Sequence, residues 1–219
     1  MILNSLMGSV EAKGGFFFKK GPGEEGGKPA RKLTEQKFPK MNVPRFDKVG
    51  TSDFPLPDPN HGVAQMLPHA ILNKDPYPIK ALIAYRFDPL MSIPDTNLSK
   101  KAMDELDLIV TIDINYSEIA WYSDVILPES TYLERTDSIQ QANGLKPQMF
   151  LRKQVAPPCY DTREGAMILK QIGERIGIGK YFPYKNMDDL VRWQLKGTGF
   201  KIEDFETKGF VAYVQSPDR

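Results

Sequence analysis

Between residues 79 and 128 short apolar runs alternate with segments of helical period, and this alternation constrains the fold more than any other feature of the chain. Ile79-Lys80-Ala81-Leu82-Ile83-Ala84-Tyr85 is an aliphatic run of the kind buried in a parallel sheet. Behind Asp95 or Thr96, either of which can cap a helix, Leu98, Ala102 and Leu106 fall at helical spacing. Leu108-Ile109-Val110-Thr111-Ile112 is β-branched, as a central strand should be. Ser117 to Ser123 makes a short helix, and Asp124-Val125-Ile126-Leu127 a third strand stopped by Pro128. The spacing predicts an α/β fold with a doubly wound, mainly parallel sheet and helices on both faces. Further helices are expected over 163–176, with Gly177 just past its end, and over 187–195. A short strand is expected over 210–214.

The amino-terminal part reads differently. Residues 19–62 hold much of the proline and glycine, and from Lys19 to Lys48 no hydrophobic periodicity survives. Lys37-Phe38-Pro39-Lys40 and Val43-Pro44-Arg45-Phe46 read as extended, proline-punctuated chain. So long an irregular stretch is uncommon inside a compact domain. We expect residues 1–62 to be an irregular segment that wraps a neighbouring domain and 63–219 to form the α/β domain.

Composition removes several classes of function. Lys and Arg number 29 against 28 Asp and Glu, so no basic footprint for nucleic acid or an anionic membrane exists. The single cysteine, Cys159, rules out a disulfide framework, and no iron–sulfur cluster can be held by this chain alone. With only His61 and His69, a histidine metal site is all but excluded, and no metal ligands are assigned. No apolar run reaches the roughly 18–20 residues of a membrane helix, so direct membrane insertion is not expected.

Several motifs fail on context. Gly21-Pro22-Gly23-Glu24-Glu25-Gly26 matches G-x-G-x-x-G, but Gly27, Lys28 and Pro29 follow where a helix is required, and two glutamates would repel a pyrophosphate. It reads as a loop. Pro68 interrupts any helix carrying His61 and His69. Cys159, after Pro157-Pro158, reads as a buried or incidental thiol. Asp104/Glu105 and Glu203/Asp204/Glu206 belong on solvated faces, and no catalytic acid–base constellation is visible.

Strand ends carry more information, because ligands of open α/β sheets bind beyond the carboxyl ends of the strands. The first strand runs into Arg86-Phe87-Asp88-Pro89 and the second into Asp113. A carboxylate there accepts hydrogen bonds from ribose hydroxyls or from the N1–H and N2–H₂ donors of guanine. Asp88 in a turn dipeptide and Asp113 as a local cap are the alternative readings.

Three blocks in order, Leu82 to Leu90, Leu108 to Asp113, and Ala120-Trp121-Tyr122-Ser123-Asp124-Val125-Ile126-Leu127-Pro128-Glu129 on to Arg135, resemble the molybdopterin oxidoreductases of the dimethyl-sulfoxide-reductase superfamily. Their wording is nearest to thiosulfate and polysulfide reductase catalytic subunits. Asn4-Ser5-Leu6-Met7-Gly8-Ser9-Val10, leading to Gly14-Gly15, resembles a family segment in which a helix runs into a glycine pair. The resemblance extends from Asn4 to about Val211.

The resemblance implies a middle portion of such a catalytic subunit, binding the guanosine end of a molybdopterin guanine dinucleotide. In the intact protein a bis form with molybdenum or tungsten is implied, and a [4Fe–4S] cluster belongs to an amino-terminal part not represented here. Carried over by position, Asp88, Ile112, Asp113, Arg135 and, at the start of the helix where Gly165 stands in place of an acid, Glu164 are the expected cofactor-binding residues; no catalytic residue is assigned. Ser123 stands where alanine is common, a harmless change, and Asp124 is equally a strand cap. The implied partners are the remaining domains of the subunit, an iron–sulfur electron-transfer subunit and a membrane anchor, with no nucleic acid. The implied setting is anaerobic respiration in the periplasm or on the outer face of the cytoplasmic membrane. The chain alone is expected to be inactive. A formate dehydrogenase or other respiratory reductase, and a stand-alone α/β nucleotide-binding module, are the competing readings.

Overall fold

The computed structural model describes residues 2–19, 21–25, 27–33, 42–55 and 62–213. Gly26, Lys37 to Lys40, His61 and Val214 therefore lie outside the described residues. In chain order the elements begin with α1 (Ile2–Leu6), α2 (Leu67–Asn73), β1 (Ala81–Tyr85), α3 (Pro89–Ser92), α4 (Thr96–Met103), β2 (Leu108–Asp113) and α5 (Glu118–Tyr122). β3 (Val125–Pro128), β4 (Gln140–Ala142), β5 (Gln148–Phe150), α6 (Gly165–Arg175), α7 (Met187–Leu195) and β6 (Phe210–Ala212) follow. They fall into two compact units: Pro39–Thr131 with Pro158–Ile168, and Met1–Phe38 with Tyr132–Pro157 and Leu169–Arg219.

The first unit contains the α/β sheet. Its order is β1-β2-β3, all parallel, with Ala84 opposite Thr111 and Thr111 opposite Ile126. Ala84 and Ile109 on one face join Leu67, Ile71, Leu90, Ala102, Met103 and Ile119 from α2 to α5 in a single buried cluster. On the opposite face Tyr85 lies beside Ile112, and the first residue of α6, Gly165, approaches the Tyr85 ring. Helices thus meet both faces, as the alternating pattern predicts. Asp95 caps α4 by accepting from Leu98 N–H at 3.0 Å. Pro68, expected to interrupt a helix, stands in the first turn of α2, where its missing N–H is no loss.

Two polar positions seal the strands. Asp124 Oδ2 accepts from Ile109 N–H at 2.7 Å, so this residue ties the start of β3 to β2. Ser123 is less neutral than its composition suggests: its hydroxyl lies 2.6 Å from that of Thr111, a buried group that needs a partner.

The second unit holds an antiparallel sheet, β4-β5-β6, that the periodicity does not reveal. Only β6 is anticipated. β4 and β5 are three residues each, too short for a period-2 pattern, although Asn143-Gly144 between them is a hairpin signal. Ala30, Ile139, Met149, Leu151, Val191, Leu195, Ile202 and Phe205 form its core. α7 occupies the predicted span, capped by Asn186 at Asp189 N–H. Gly177 follows α6 at φ +80°, the left-handed position that glycine adopts without strain.

Candidate functional site

The carboxyl ends of the three parallel strands meet at Glu129, whose backbone N–H donates to Asp113 O at the end of β2 and whose buried carboxylate takes donors from the end of β1. Glu129, just past β3, has a side chain with no solvent exposure. Arg86 donates to it through both Nε (2.6 Å to Oε2) and Nη2 (2.5 Å to Oε1). Tyr85 Oη donates to Oε1 at 3.0 Å, and so does the backbone N–H of Gly165 at 3.0 Å. A fork-on-fork pair of this kind is stronger and more directional than a neutral bond. The carboxylate also faces the amino end of α6, where negative charge is favoured.

Local backbone makes the clamp possible. Arg86 leaves β1 at φ +49°, in the left-handed region, a conformation that costs a side-chain-bearing residue about 1–3 kcal/mol and is offset here by the paired guanidinium. Beyond β3 the chain bridges to Arg163: Ser130 N–H donates to Arg163 O at 2.9 Å, and the Ser130 and Thr162 hydroxyls lie 2.9 Å apart. That bridge delivers Gly165 to Glu129. A Cβ at Gly165 would overlap Glu129 Oε1 and the Tyr85 side chain, with Tyr85 Cε2 only 2.6 Å away. Glycine therefore stands at 165 because the carboxylate and the tyrosine already fill the space.

Asp88 follows β1 and is used up locally. Oδ1 accepts from Leu90 N–H at 2.9 Å, capping α3, while Oδ2 accepts from Glu118 N–H at 2.8 Å at the start of α5. It ties two helix starts together at the strand ends.

Asp113 ends the middle strand half-buried. Its carbonyl accepts from Glu129 N–H at 2.9 Å, and its Oδ1 accepts from Ile114 N–H at 2.7 Å. Oδ2 has no partner among the described residues, which leaves an acceptor of the type that guanine N1–H and N2–H₂ require. In that respect the residue fits a guanosine group. Ile112 is fully buried, and its carbonyl is taken by Arg86 N–H at 3.0 Å, so its side chain is core. Glu164 is half-buried; its carbonyl accepts from Met167 and Ile168 N–H as α6 begins.

Arg135 belongs to the second unit. It is 7% exposed, and its Nε donates to Asp137 Oδ1 at 2.8 Å; Arg152 pairs with the same carboxylate. Of the five expected cofactor-binding residues, Asp88, Ile112, Asp113 and Glu164 thus share the parallel-sheet unit with the Glu129 clamp. Glu129 and Arg86 are the residues that the strand-end argument missed as a pair. The available signal was an acid directly after Leu127-Pro128 at the end of a parallel strand.

Cys159 is exposed rather than buried, and Asp104, Glu105, Glu203, Asp204 and Glu206 are exposed as expected. Among the described residues no three His, Cys, Asp or Glu side chains group as metal ligands, and no helix is long and apolar enough to cross a membrane.

Comparison with known proteins agrees with this architecture. The sequence pattern of the family described as molybdopterin oxidoreductase matches residues 1–175. The thiosulfate reductase molybdopterin-containing subunit PhsA of Salmonella typhimurium is 34% identical over 218 residues, which is 96% of this chain and 29% of that protein. The assimilatory nitrate reductase catalytic subunit of Bacillus subtilis is 35% identical over 112 residues, 51% of this chain and 15% of that protein. The chain therefore spans less than a third of the length of either relative. Acetylene hydratase from Pelobacter acetylenicus shares the fold, with a TM-score of 0.62 over 69% of this chain and 21% of that one, at 24% identity. The match of the family pattern over residues 1–175 and the 34% identity over 96% of the chain place this chain in the molybdopterin oxidoreductase family.

Proposed function

We propose that this chain is the part of a thiosulfate- or polysulfide-reductase-like catalytic subunit that holds the guanosine end of a molybdopterin guanine dinucleotide. The observation that carries the proposal is Asp113 Oδ2, an acceptor without a described partner at the carboxyl end of the central parallel strand. In this reading Asp113 accepts from the guanine edge. Asp88 positions the strand-end loops, Glu129 with Arg86 fixes their spacing, and Ile112 supports them from the core. Glu164 and Arg135 are secondary contacts. When bound, the cofactor supplies two-electron redox chemistry at its metal, and the protein supplies binding and orientation.

The remaining domains of the subunit are the first partner. Ile83, Leu108 and Val125, on the sheet face away from the main cluster, are 48%, 40% and 42% exposed. Parallel sheets are normally covered on both faces, so these side chains support further polypeptide packing there. An iron–sulfur subunit and a membrane anchor complete the assembly, in the periplasm or on the outer face of the cytoplasmic membrane. The [4Fe–4S] cluster and the metal belong to the longer protein.

The test is calorimetric titration of the 219-residue chain with GDP, IDP and ADP. Saturable GDP binding, weaker for IDP and lost in Asp113→Ala with the melting temperature unchanged, is the expected result. Equal affinity for GDP and ADP, or GDP binding that survives Asp113→Ala, overturns the assignment.

A further inference from the structure

In the antiparallel unit a cavity of about 580 Å³ opens over β4, and its charge is one-sided. Lys19, Arg31 and Lys32 line it together with Gln141, Asn143 and Gln194, and among the described residues of its lining none is acidic. The chain as a whole is almost balanced, 29 basic residues against 28 acidic, so three cations around one concavity are a local segregation of charge. None of the three has an ion-pair partner among the described residues.

The floor of the cavity is rigid. Gln141 Oε1 accepts from Ala30 N–H at 2.9 Å and from Tyr213 Oη at 2.7 Å, so both acceptor sites of this carboxamide oxygen are filled. Gln194 Oε1 accepts from Ile139 N–H at 2.9 Å. The backbone of Arg31 is pinned on both sides: its N–H donates to Gln194 O at 2.9 Å, and its carbonyl accepts from Gln194 Nε2. Gln141 thus spends its acceptor oxygen, and Gln194 an amide hydrogen and its backbone carbonyl, on holding the segment that carries Arg31 and Lys32. The cavity keeps cationic donors, on a base ordered before any ligand arrives. Its volume is that of a small-molecule site, larger than a single water or halide needs.

We propose that this cavity binds an oxyanion of two or more negative charges, of the phosphate-ester or sulfur-oxyanion class, through Arg31, Lys19 and Lys32. The proposal does not rest on the guanosine assignment.

The experiment is titration of the 219-residue chain with inorganic pyrophosphate, thiosulfate and sulfate at low and high ionic strength, followed by calorimetry. Saturable 1:1 binding that weakens with added salt is expected. Arg31→Gln is expected to weaken it at least about tenfold, the scale of one charge-assisted hydrogen bond. Asn143→Asp, which adds a carboxylate at the rim without changing side-chain size, should act in the same direction with an unchanged melting temperature. Asp113→Ala should leave binding of these inorganic probes intact, since they carry no base. Tighter pyrophosphate assigns the phosphate-ester class, tighter thiosulfate the sulfur class, and equal affinities the shared chemistry. Absence of saturable binding at low salt, or binding indifferent to both Arg31→Gln and Asn143→Asp, overturns the proposal.

Discussion

The backbone N–H of Gly165 donates to Oε1 of Glu129 at 3.0 Å, and a Cβ on Gly165 would strike the same oxygen. A helix amino terminus, a strand end and a buried carboxylate are thereby joined at a point where only a hydrogen atom fits. The same carboxylate takes the Arg86 fork from the neighbouring strand end. The spacing of the loops around Asp88 and Asp113 depends on this junction.

Gly165→Ala is therefore expected to destabilise the parallel-sheet unit by about 1–3 kcal/mol, the range for overpacking a filled site. Both neighbours of the new methyl are held by hydrogen bonds and cannot withdraw freely. Urea denaturation followed by circular dichroism measures it; a change within experimental error of the parent would show that the junction relaxes.

Removing the acid should be worse than altering its charge. Glu129→Ala leaves the buried Gly165 N–H without this acceptor, while Arg86, 43% exposed, turns to water, and a loss of about 1–3 kcal/mol is expected. Glu129→Gln keeps the shape and one acceptor oxygen, so its loss should be smaller. Equal losses for the two variants would mean that packing, not the charge-assisted bonds, sets the contribution.

A second buried acid sets acid sensitivity. Asp47 is fully buried, accepts from Arg45 Nε at 2.9 Å and Nη2 at 2.8 Å, and also takes Val49 and Val63 N–H. The Arg45 hydrogen bonds, helped by the two backbone donors and opposed by burial, hold its carboxyl far below the usual carboxylate range. Because the folded-state value is depressed, the stabilisation is complete above the ordinary carboxylate value near 4 and is lost as pH falls below it. Asp47→Asn should cost about 1–3 kcal/mol at pH 7, the penalty for weakening buried, charge-assisted bonds. Chemical denaturation between pH 7 and pH 2.5 should show the gap between variant and parent narrowing in acid; a constant gap would refute the linkage.

Alkali acts on the other unit. Burial pushes the Tyr184 phenol up to about 12, and desolvation pushes Tyr213 up to about 12 as well. Folded-state values raised above the ordinary 10 mean stability that is whole below pH 10 and declines as pH rises from 10 toward 12. Tyr184→Phe has no proton to lose there, so its melting temperature should fall less steeply over that interval. Parallel slopes for parent and variant would assign the alkaline loss to other groups.

Local patterns in the sequence were sufficient for the first unit's strands and for α7. β1, β2 and β3 are aliphatic runs whose strand character follows from composition alone, although which of their side chains are buried does not, and α7 carries its own cap at Asn186 and its own apolar stripe at Leu190, Val191 and Leu195. Asp113 was readable because a strand of that character must end somewhere, and an acid stood at its end. Tertiary structure decided the rest. The β4–β5–β6 sheet consists of three-residue strands, of which β4 and β5 pair across a turn but β5 and β6 across sixty-odd positions, as Gln148 does with Ala212. In the sequence Glu129 is simply the acid that follows Leu127-Pro128. It becomes the junction of the site only when Arg86, Tyr85 and Gly165, from two other parts of the chain, arrive around it. Burial of a charge is a property of what surrounds it, and no local stretch of sequence contains its own surroundings.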